Sequence, residues 1–288
     1  MSDKILSKNL STIKRFAQKK KNIYKNAKPY PHIVIKNFFN KNFLNKVMME
    51  FPNLSEIESS INYDNKNEVK FANNNKKCFK KNTKKIFKYL NSKNFLNFLQ
   101  NLSSIKEKLL ADVHLNGGGL HEIKRGGVLK IHTDFNKHPS KNIDRRINVL
   151  IYLNKGWKKN YGGNLELWDK DMKRCVKKVP PLFNTMVIFS TNDFTNHGHP
   201  NPLRSPLGVS RKSIATYYFS KGRPKNEISK IKKKNTTNFK NRHGRNNDVF
   251  VQKEHIKNFL RNFDLYQNVK NFEKKYLRTG NSQRKRIN

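Results

Sequence analysis

Hydrophobic positions along the chain change period twice. Between Phe38 and Phe51 apolar residues recur every fourth position, through Phe43, Val47 and Phe51, and Pro52 closes the run. That spacing predicts a helix. It returns between Lys81 and Leu110, in Ile86, Leu90, Phe95, Phe98 and Leu99. A first strand is predicted over His32–Ile35, launched by Pro29 and Pro31, and residues 53–75 read as polar loop with a short strand near Val69–Phe71. From Leu115 the texture becomes that of strands. Glycines cluster at Gly117, Gly118, Gly119, Gly126 and Gly127. Short β-type runs then follow at Val128–His132, Ile147–Leu153, Asn164–Asp169, Cys175–Val179, Phe183–Phe189 and Lys212–Phe219. Gly162-Gly163 and Asp169–Lys173 are turn signals, with Leu165 and Leu167 expected to face inward. Strands this close together, behind a helical segment, predict a mainly β chain with flanking α (α+β): a double-sheeted barrel with N-terminal helices.

This pattern divides the chain. Residues 1–29 are Lys/Asn-rich without apolar periodicity and are expected to be poorly ordered or a short basic helix. Residues 30–114 supply the supporting strand and helices, 115–221 the barrel core, and 222–248 a basic linker. Apolar spacing resumes in 249–288, through Ile256, Phe259, Leu260, Phe263 and Leu265, predicting a helical, basic extension. No internal repeats are found. No apolar run reaches the roughly 18 residues of a membrane span, and the N-terminus lacks a signal peptide's apolar core. With only Cys78 and Cys175 in 288 residues, a disulfide framework is excluded and a reduced, cytoplasmic setting is expected.

Charge adds one property. Lys and Arg number 62 against 20 Asp and Glu, a formal net charge of +42. The excess spreads over the whole chain together with Asn, Ile and Phe, which reads as compositional bias rather than one binding stripe. Runs such as Lys19–Lys21 and Lys230–Lys234 are expected to be solvated. Non-specific binding of polyanions at low salt is nonetheless expected from so basic a chain.

The candidate chemistry centres on Lys130-Ile-His132-Thr-Asp134-Phe. On a strand, residues two apart share a face, so His132 and Asp134 offer an imidazole and a carboxylate together. A third ligand would complete the 2-His-1-carboxylate triad of non-haem Fe(II) oxygenases. Two histidines qualify, His197 and His199 in Thr195-Asn-His-Gly-His-Pro200, which the Thr185–Phe189 run leads into. Arg211, opening the last β run, has a guanidinium fork that suits a carboxylate. Ser213 shares its face, and Tyr152 supplies a second hydroxyl from another strand. His121, Asn136 and His138 lie near the site in sequence. Asn136 is a candidate to reach substrate, and His138 is expected to be an exposed loop residue. Trp157 and Trp168 read as core or rim packing.

The order H-x-D at 132–134, Tyr152-Leu-Asn154, Gly162-Gly-Asn-Leu-Glu-Leu167, a distal His and Arg211-Lys-Ser213 resembles the prolyl 4-hydroxylase-like branch of the Fe(II)/2-oxoglutarate dioxygenases. The likeness runs from about Leu115 to Phe219. It implies a double-stranded β-helix (jelly-roll) core. It implies Fe(II) on His132, Asp134 and a distal His, with His197 preferred because a Pro follows within a few residues, and His199 as the alternative. It implies 2-oxoglutarate at Arg211, Tyr152 and Ser213, with O2 as co-substrate and ascorbate as a reductant. Residues 201–209 read as an insertion relative to compact members. Retention of Asp134, which related halogenases replace, points to hydroxylation.

The reaction so implied hydroxylates an aliphatic C–H and releases succinate and CO2. A prolyl side chain, free or in a peptide or protein, is the first expectation, and a small metabolite or saccharide the second. A reading from another class is a metal-free, basic barrel that binds nucleic acid. No membrane partner is expected.

Overall fold

A computed structural model describes residues 4–8, 10–228, 235–245 and 248–249. The chain divides into two units, Met1–Val251 and Gln252–Asn288. The second, and with it nearly all of the predicted helical extension, lies outside the described residues, as does Lys230–Lys234. In chain order the elements are α1 (Leu10–Asn26), β1 (His32–Lys36), α2 (Lys41–Met49), β2 (Ile61–Asp64), β3 (Val69–Asn73), α3 (Lys81–Leu90) and α4 (Lys93–Ser103). They continue with β4 (Leu110–Ala111), β5 (Gly119–Ile123), β6 (Leu129–Thr133), β7 (Asp144–Tyr152), β8 (Leu165–Trp168) and β9 (Cys175–Val179). Last come β10 (Thr185–Ser190), β11 (Asn196–His199), β12 (Arg211–Ser220) and β13 (Asn238–Phe239). Among the described residues no helix is long and apolar enough to cross a membrane.

Two antiparallel sheets face each other. The larger runs β1-β10-β7-β12-β5-β3-β2, with β4 added to β12, and the smaller runs β13-β6-β11-β8-β9. Period-two alternation sends the two faces of the large sheet's central strands to different cores. Ile147, Val149 and Ile151 of β7, with Met186 and Ile188 of β10 and Ile214 of β12, pack against the helices. Tyr152, Val187 and Phe189 point the other way and meet Leu165 and Leu167 of the small sheet, which face inward as expected. β7 is therefore covered on both sides, and its apolar run is nearly continuous for that reason.

The helical layer forms where apolar residues recur at helical spacing. α4 buries Phe95, Phe98, Leu99 and Leu102. α3 buries Ile86, Phe87 and Leu90. What reads as one helical stretch over Lys81–Leu110 is two helices. Asn91 ends the first and Ser92 caps the second by accepting from Phe95 N at 3.3 Å. The N-terminal segment takes the helical alternative. Despite its lysines, α1 buries Ile13, Ala17 and Tyr24, and the Tyr24 hydroxyl pairs with Ser190 Oγ at 2.9 Å.

Several boundaries differ from the sequence pattern. The barrel is not confined to 115–221, because β1, β2 and β3 extend its larger sheet. β2, β4, β5, β11 and β13 escape the periodicity reading because they are short or rich in polar and glycine residues. The segment read as a linker contributes β13, which pairs with β6 through Asn238↔Thr133 and Phe239↔His132. β7 begins at Asp144, three residues before its apolar run, since Asp144, Arg145 and Arg146 are buried as paired charges. His138, expected on an exposed loop, is buried against Phe219 and Asn116.

α3 lacks a capping side chain at Lys80 and is capped from another helix. Glu50 accepts from Asn82 N (3.0 Å) and Thr83 N (2.7 Å), and from both of their side chains. Burial pushes the Glu50 carboxyl up, but these bonds outweigh it and hold the group below its ordinary value. Glu50→Ala should cost about 1–3 kcal/mol in urea unfolding at pH 7. A depressed carboxyl stabilises above the unfolded pKa and loses its effect as pH falls through the folded value. The difference between the two proteins should therefore close on acidification below the usual carboxylate range.

Candidate active site

Three ligand-bearing side chains converge between the sheets. His132 lies on β6, Asp134 one residue past its end, and His197 on β11 directly opposite His132. Each offers one ligand atom, and the three atoms lie within 4.8 Å of one another. Among the described residues this is the one such His/Cys/Asp/Glu cluster. His132 Nε2 stands 3.6 Å from Asp134 Oδ1, and His197 Nε2 3.4 Å from Asp134 Oδ2. The ring centroids of the two histidines are 4.5 Å apart.

The backbone fixes how the rings face. His132 Nδ1 lies 2.8 Å from Lys130 O, and His197 Nδ1 3.1 Å from Thr195 O. A carbonyl only accepts, so each Nδ1 carries the hydrogen and each Nε2 presents its lone pair. Burial pulls the His197 pKa down to about 4 against the opposing pull of Asp134, so the ring is neutral near pH 7. When both rings are neutral, two imidazole lone pairs and a carboxylate meet at one point. That donor set fits a small divalent cation held on one side, with further positions open.

Close backbone approach sets this register. A Cβ on Gly198 would stand 2.7 Å from both Leu129 O and Lys130 O. Glycine thus lets β11 press against β6, where the pairing shifts between His197 and His199. His199 lies two residues further on, roughly 6–7 Å along a strand, and is not part of the cluster.

Asp134 is a nearly buried anion, and its compensation comes from β7. Arg145 Nη2 lies 3.1 Å from Asp134 Oδ2, Asn148 Nδ2 donates to the same oxygen at 2.7 Å, and Arg145 Nε donates to Asn148 Oδ1 at 2.8 Å. Burial pushes the Asp134 carboxyl up, but the Arg145 charge, with His197 and His132, holds it well below the ordinary value. The Arg145 guanidinium is itself stacked 3.4 Å from the Tyr217 ring centroid and 4.6 Å from that of Phe135. Although near enough to Asp134 for an ion pair, its Nη2 is not aligned for a hydrogen bond and has no such partner.

Sequence spacing hides Arg145. It stands three residues from Asn148, and strict alternation would put the two on opposite faces. Phe219 pairs with Arg145 and Tyr218 with Ile147, so Arg146 is an extra residue that turns Arg145 inward. Phe189 and Phe239, whose rings lie 4.8 Å from His197 and 5.5 Å from His132, are also absent from the sequence reading. Phe189 could have been found from its place on the inward face of an apolar strand. No sequence signal marks Phe239.

A second polar group lies on the large sheet's inner face. Tyr152, Ser213 and His121 form one rung across β7, β12 and β5, and Arg211 is two residues from Ser213 on the same face. Arg211 is buried, donates from Nε to Gly163 O at 2.8 Å and from Nη2 to Tyr152 Oη at 3.1 Å, and lies over the Tyr152 ring. Burial, opposed by Arg211, raises the Tyr152 pKa, so the phenol keeps its hydrogen. Its oxygen accepts from Arg211, which leaves that hydrogen to donate elsewhere. A guanidinium with two of its five N–H groups committed, beside a neutral phenol, is suited to a carboxylate. The Asn136 amide donates to Asp193. Trp157 and Trp168 serve in packing, with their indole nitrogens bonded to Gly162 O and Glu166.

Residues 118–219 match the family model of the 2OG-Fe(II) oxygenase superfamily. Among solved structures, a prolyl hydroxylase from Trichoplax adhaerens, in complex with a hypoxia inducible factor peptide fragment, shares 18% identity at a TM-score of 0.54. The likeness covers 74% of this chain and 94% of that one. A Pseudomonas putida prolyl-4-hydroxylase shares 15% identity at a TM-score of 0.51, covering 74% of this chain and 100% of that one. At such identities the likeness establishes the fold, a double-stranded β-helix.

Titration with Co(II), followed by its visible absorption, checks the cluster. One ion per chain should bind the wild-type protein, and His132→Ala should lose that site. Asn148→Ala, which removes a bond to the ligand carboxylate, should weaken binding by about 10- to 100-fold.

Proposed function

We propose, from the match of residues 118–219 to the 2OG-Fe(II) oxygenase superfamily model, that the chain hydroxylates an aliphatic C–H bond and that a prolyl residue carries that bond. The chain is a 2-oxoglutarate-dependent dioxygenase, with Fe(II), 2-oxoglutarate and O2 as its cofactor and co-substrates. The metal reaction supplies the oxidation: 2-oxoglutarate loses CO2 to become succinate, one oxygen atom entering succinate and the other the substrate C–H.

The observation that carries the reading is the convergence of His132, Asp134 and His197 beside an inward-facing Arg211. His132 and His197 would hold the metal through Nε2, oriented by their Nδ1 bonds. Asp134, kept ionised by Arg145, would be the third ligand. Its presence favours oxygen transfer, since no ligand position is surrendered to another anion. Arg211 and Tyr152 would bind the far carboxylate of 2-oxoglutarate, with Ser213 beside them. Phe189 and Phe239 pack on the two histidines and keep water from their outer faces.

The prolyl assignment has narrower support. Arg145 Nη2, ion-paired with Asp134 but without an aligned hydrogen bond, is a buried donor framed by Tyr217 and Phe135. Such a donor suits a peptide carbonyl, and aromatic walls suit a compact apolar ring. The prolyl hydroxylases among the structural relatives agree with this choice.

Anaerobically prepared Fe(II) protein should be supplied with 2-oxoglutarate, O2 and a library of proline-containing peptides, then analysed by mass spectrometry. The expected result is a gain of one oxygen on proline, matched by succinate. Arg211→Gln should raise KM for 2-oxoglutarate by about 30-fold or more, as loss of a buried charge-assisted bond requires. Oxygen gain on a small metabolite or saccharide, with every peptide untouched, would replace the prolyl assignment. Absence of any 2-oxoglutarate consumption would refute the reaction.

A further inference from the structure

The inner face between Arg211 and the triad carries a buried group that the reaction above leaves unused. His199 is 3% exposed, and neither its Nδ1 nor its Nε2 has a hydrogen-bond partner. The two candidate metal ligands, His132 and His197, each have Nδ1 tied to a carbonyl. Folded proteins rarely leave a buried imidazole with both nitrogens unpaired, so such a ring points to a missing partner.

Its place in the fold identifies that partner. On β11 it shares the inward face with His197, two residues away, at the point where pairing with β6 shifts to Leu129. On the other side, Gly198 pairs with Glu166. The next residue of β8 is Leu165, which packs in one cluster with Tyr152. Arg211 is anchored to Gly163 O, two residues before Leu165, and to the Tyr152 hydroxyl. His199 therefore stands between the candidate metal ligands and the Arg211–Tyr152 pair. An imidazole has at least one N–H to donate; the Asn201 backbone lies beside the ring but makes no aligned hydrogen bond with it.

We propose that His199 is a co-substrate-binding residue, donating a ring N–H to the carboxylate of 2-oxoglutarate that Arg211 and Tyr152 hold. Three side chains, rather than two, then read that end of the co-substrate. The inference rests on the assignment of Arg211 as the co-substrate anchor, and it gives the second histidine of Asn196-His-Gly-His199 a role separate from metal binding.

The test is calorimetric titration of the full chain loaded with Ni(II), which prevents turnover. 2-Oxoglutarate is compared with oxalate, which chelates a metal but lacks the far carboxylate. His199→Leu removes the donor, His199→Val does so with a strand-favouring residue, and His199→Gln restores an N–H. His199→Leu and His199→Val should weaken 2-oxoglutarate binding about tenfold or more. Oxalate affinity and one Ni(II) per chain should be unchanged, and His199→Gln should recover most of the loss. Wild-type 2-oxoglutarate affinity in the leucine or valine variant would overturn the proposal. So would an equal loss for oxalate, or loss of the Ni(II) itself. Arg211→Gln separates the two levels. If it binds 2-oxoglutarate as tightly as wild type, the anchor assignment fails and His199 with it; if it binds weakly while His199→Leu does not, the His199 assignment alone fails.

Discussion

The site depends on one contact, the pressing of β11 against β6. Gly198 lets the two backbones approach, and His197 comes to stand opposite His132. Neither histidine is near the other in sequence. Their separation is set by strand pairing, so ligand geometry is as rigid as the small sheet itself. β13 extends that sheet beyond β6 and lays Phe239 on His132. On the opposite side Phe189, carried by the large sheet, packs on His197. The two rings are thus held from both sheets.

A second dependency runs through Asp134. A carboxylate in this position would be driven toward its neutral form by burial alone, and a neutral acid is a poor ligand. Arg145 prevents that, and Arg145 in turn lies against the Tyr217 and Phe135 rings. The extra residue in β7 that turns Arg145 inward therefore links the ligand set to the wall where a substrate would lie. Arg146 and Arg223 anchor the same region through Glu107, Asp144 and Glu227. A chain of ion pairs whose arginines are buried is costly to assemble and fixes one arrangement, because losing a carboxylate leaves a buried guanidinium unpaired.

Much of this was legible before the fold was known. H-x-D on a β run, a later His, and an Arg opening the last long strand are positions whose chemistry follows from period two and ligand type. The helices and central strands followed from apolar spacing. What escaped shares a physical cause. β5, β11 and β13 are short, polar or glycine-bearing, so they carry little periodic signal, yet they complete the sheets. Arg145 was hidden by a bulge, which no alternation rule foresees. His138 was misjudged because its partners, Asp112 and Asn116, come from another part of the chain. The choice between His197 and His199 turned on pairing register, which two histidines on one strand face cannot decide by themselves.

The account's central claim is that β6 and β11 together build one metal site from His132, Asp134 and His197. Anomalous diffraction from crystals grown with Mn(II) tests it directly. The account predicts a single strong peak within bonding distance of His132 Nε2, a carboxylate oxygen of Asp134 and His197 Nε2, with His199 outside the coordination sphere. A peak ligated by His199 in place of His197, or no peak between the sheets at saturating metal, would contradict it.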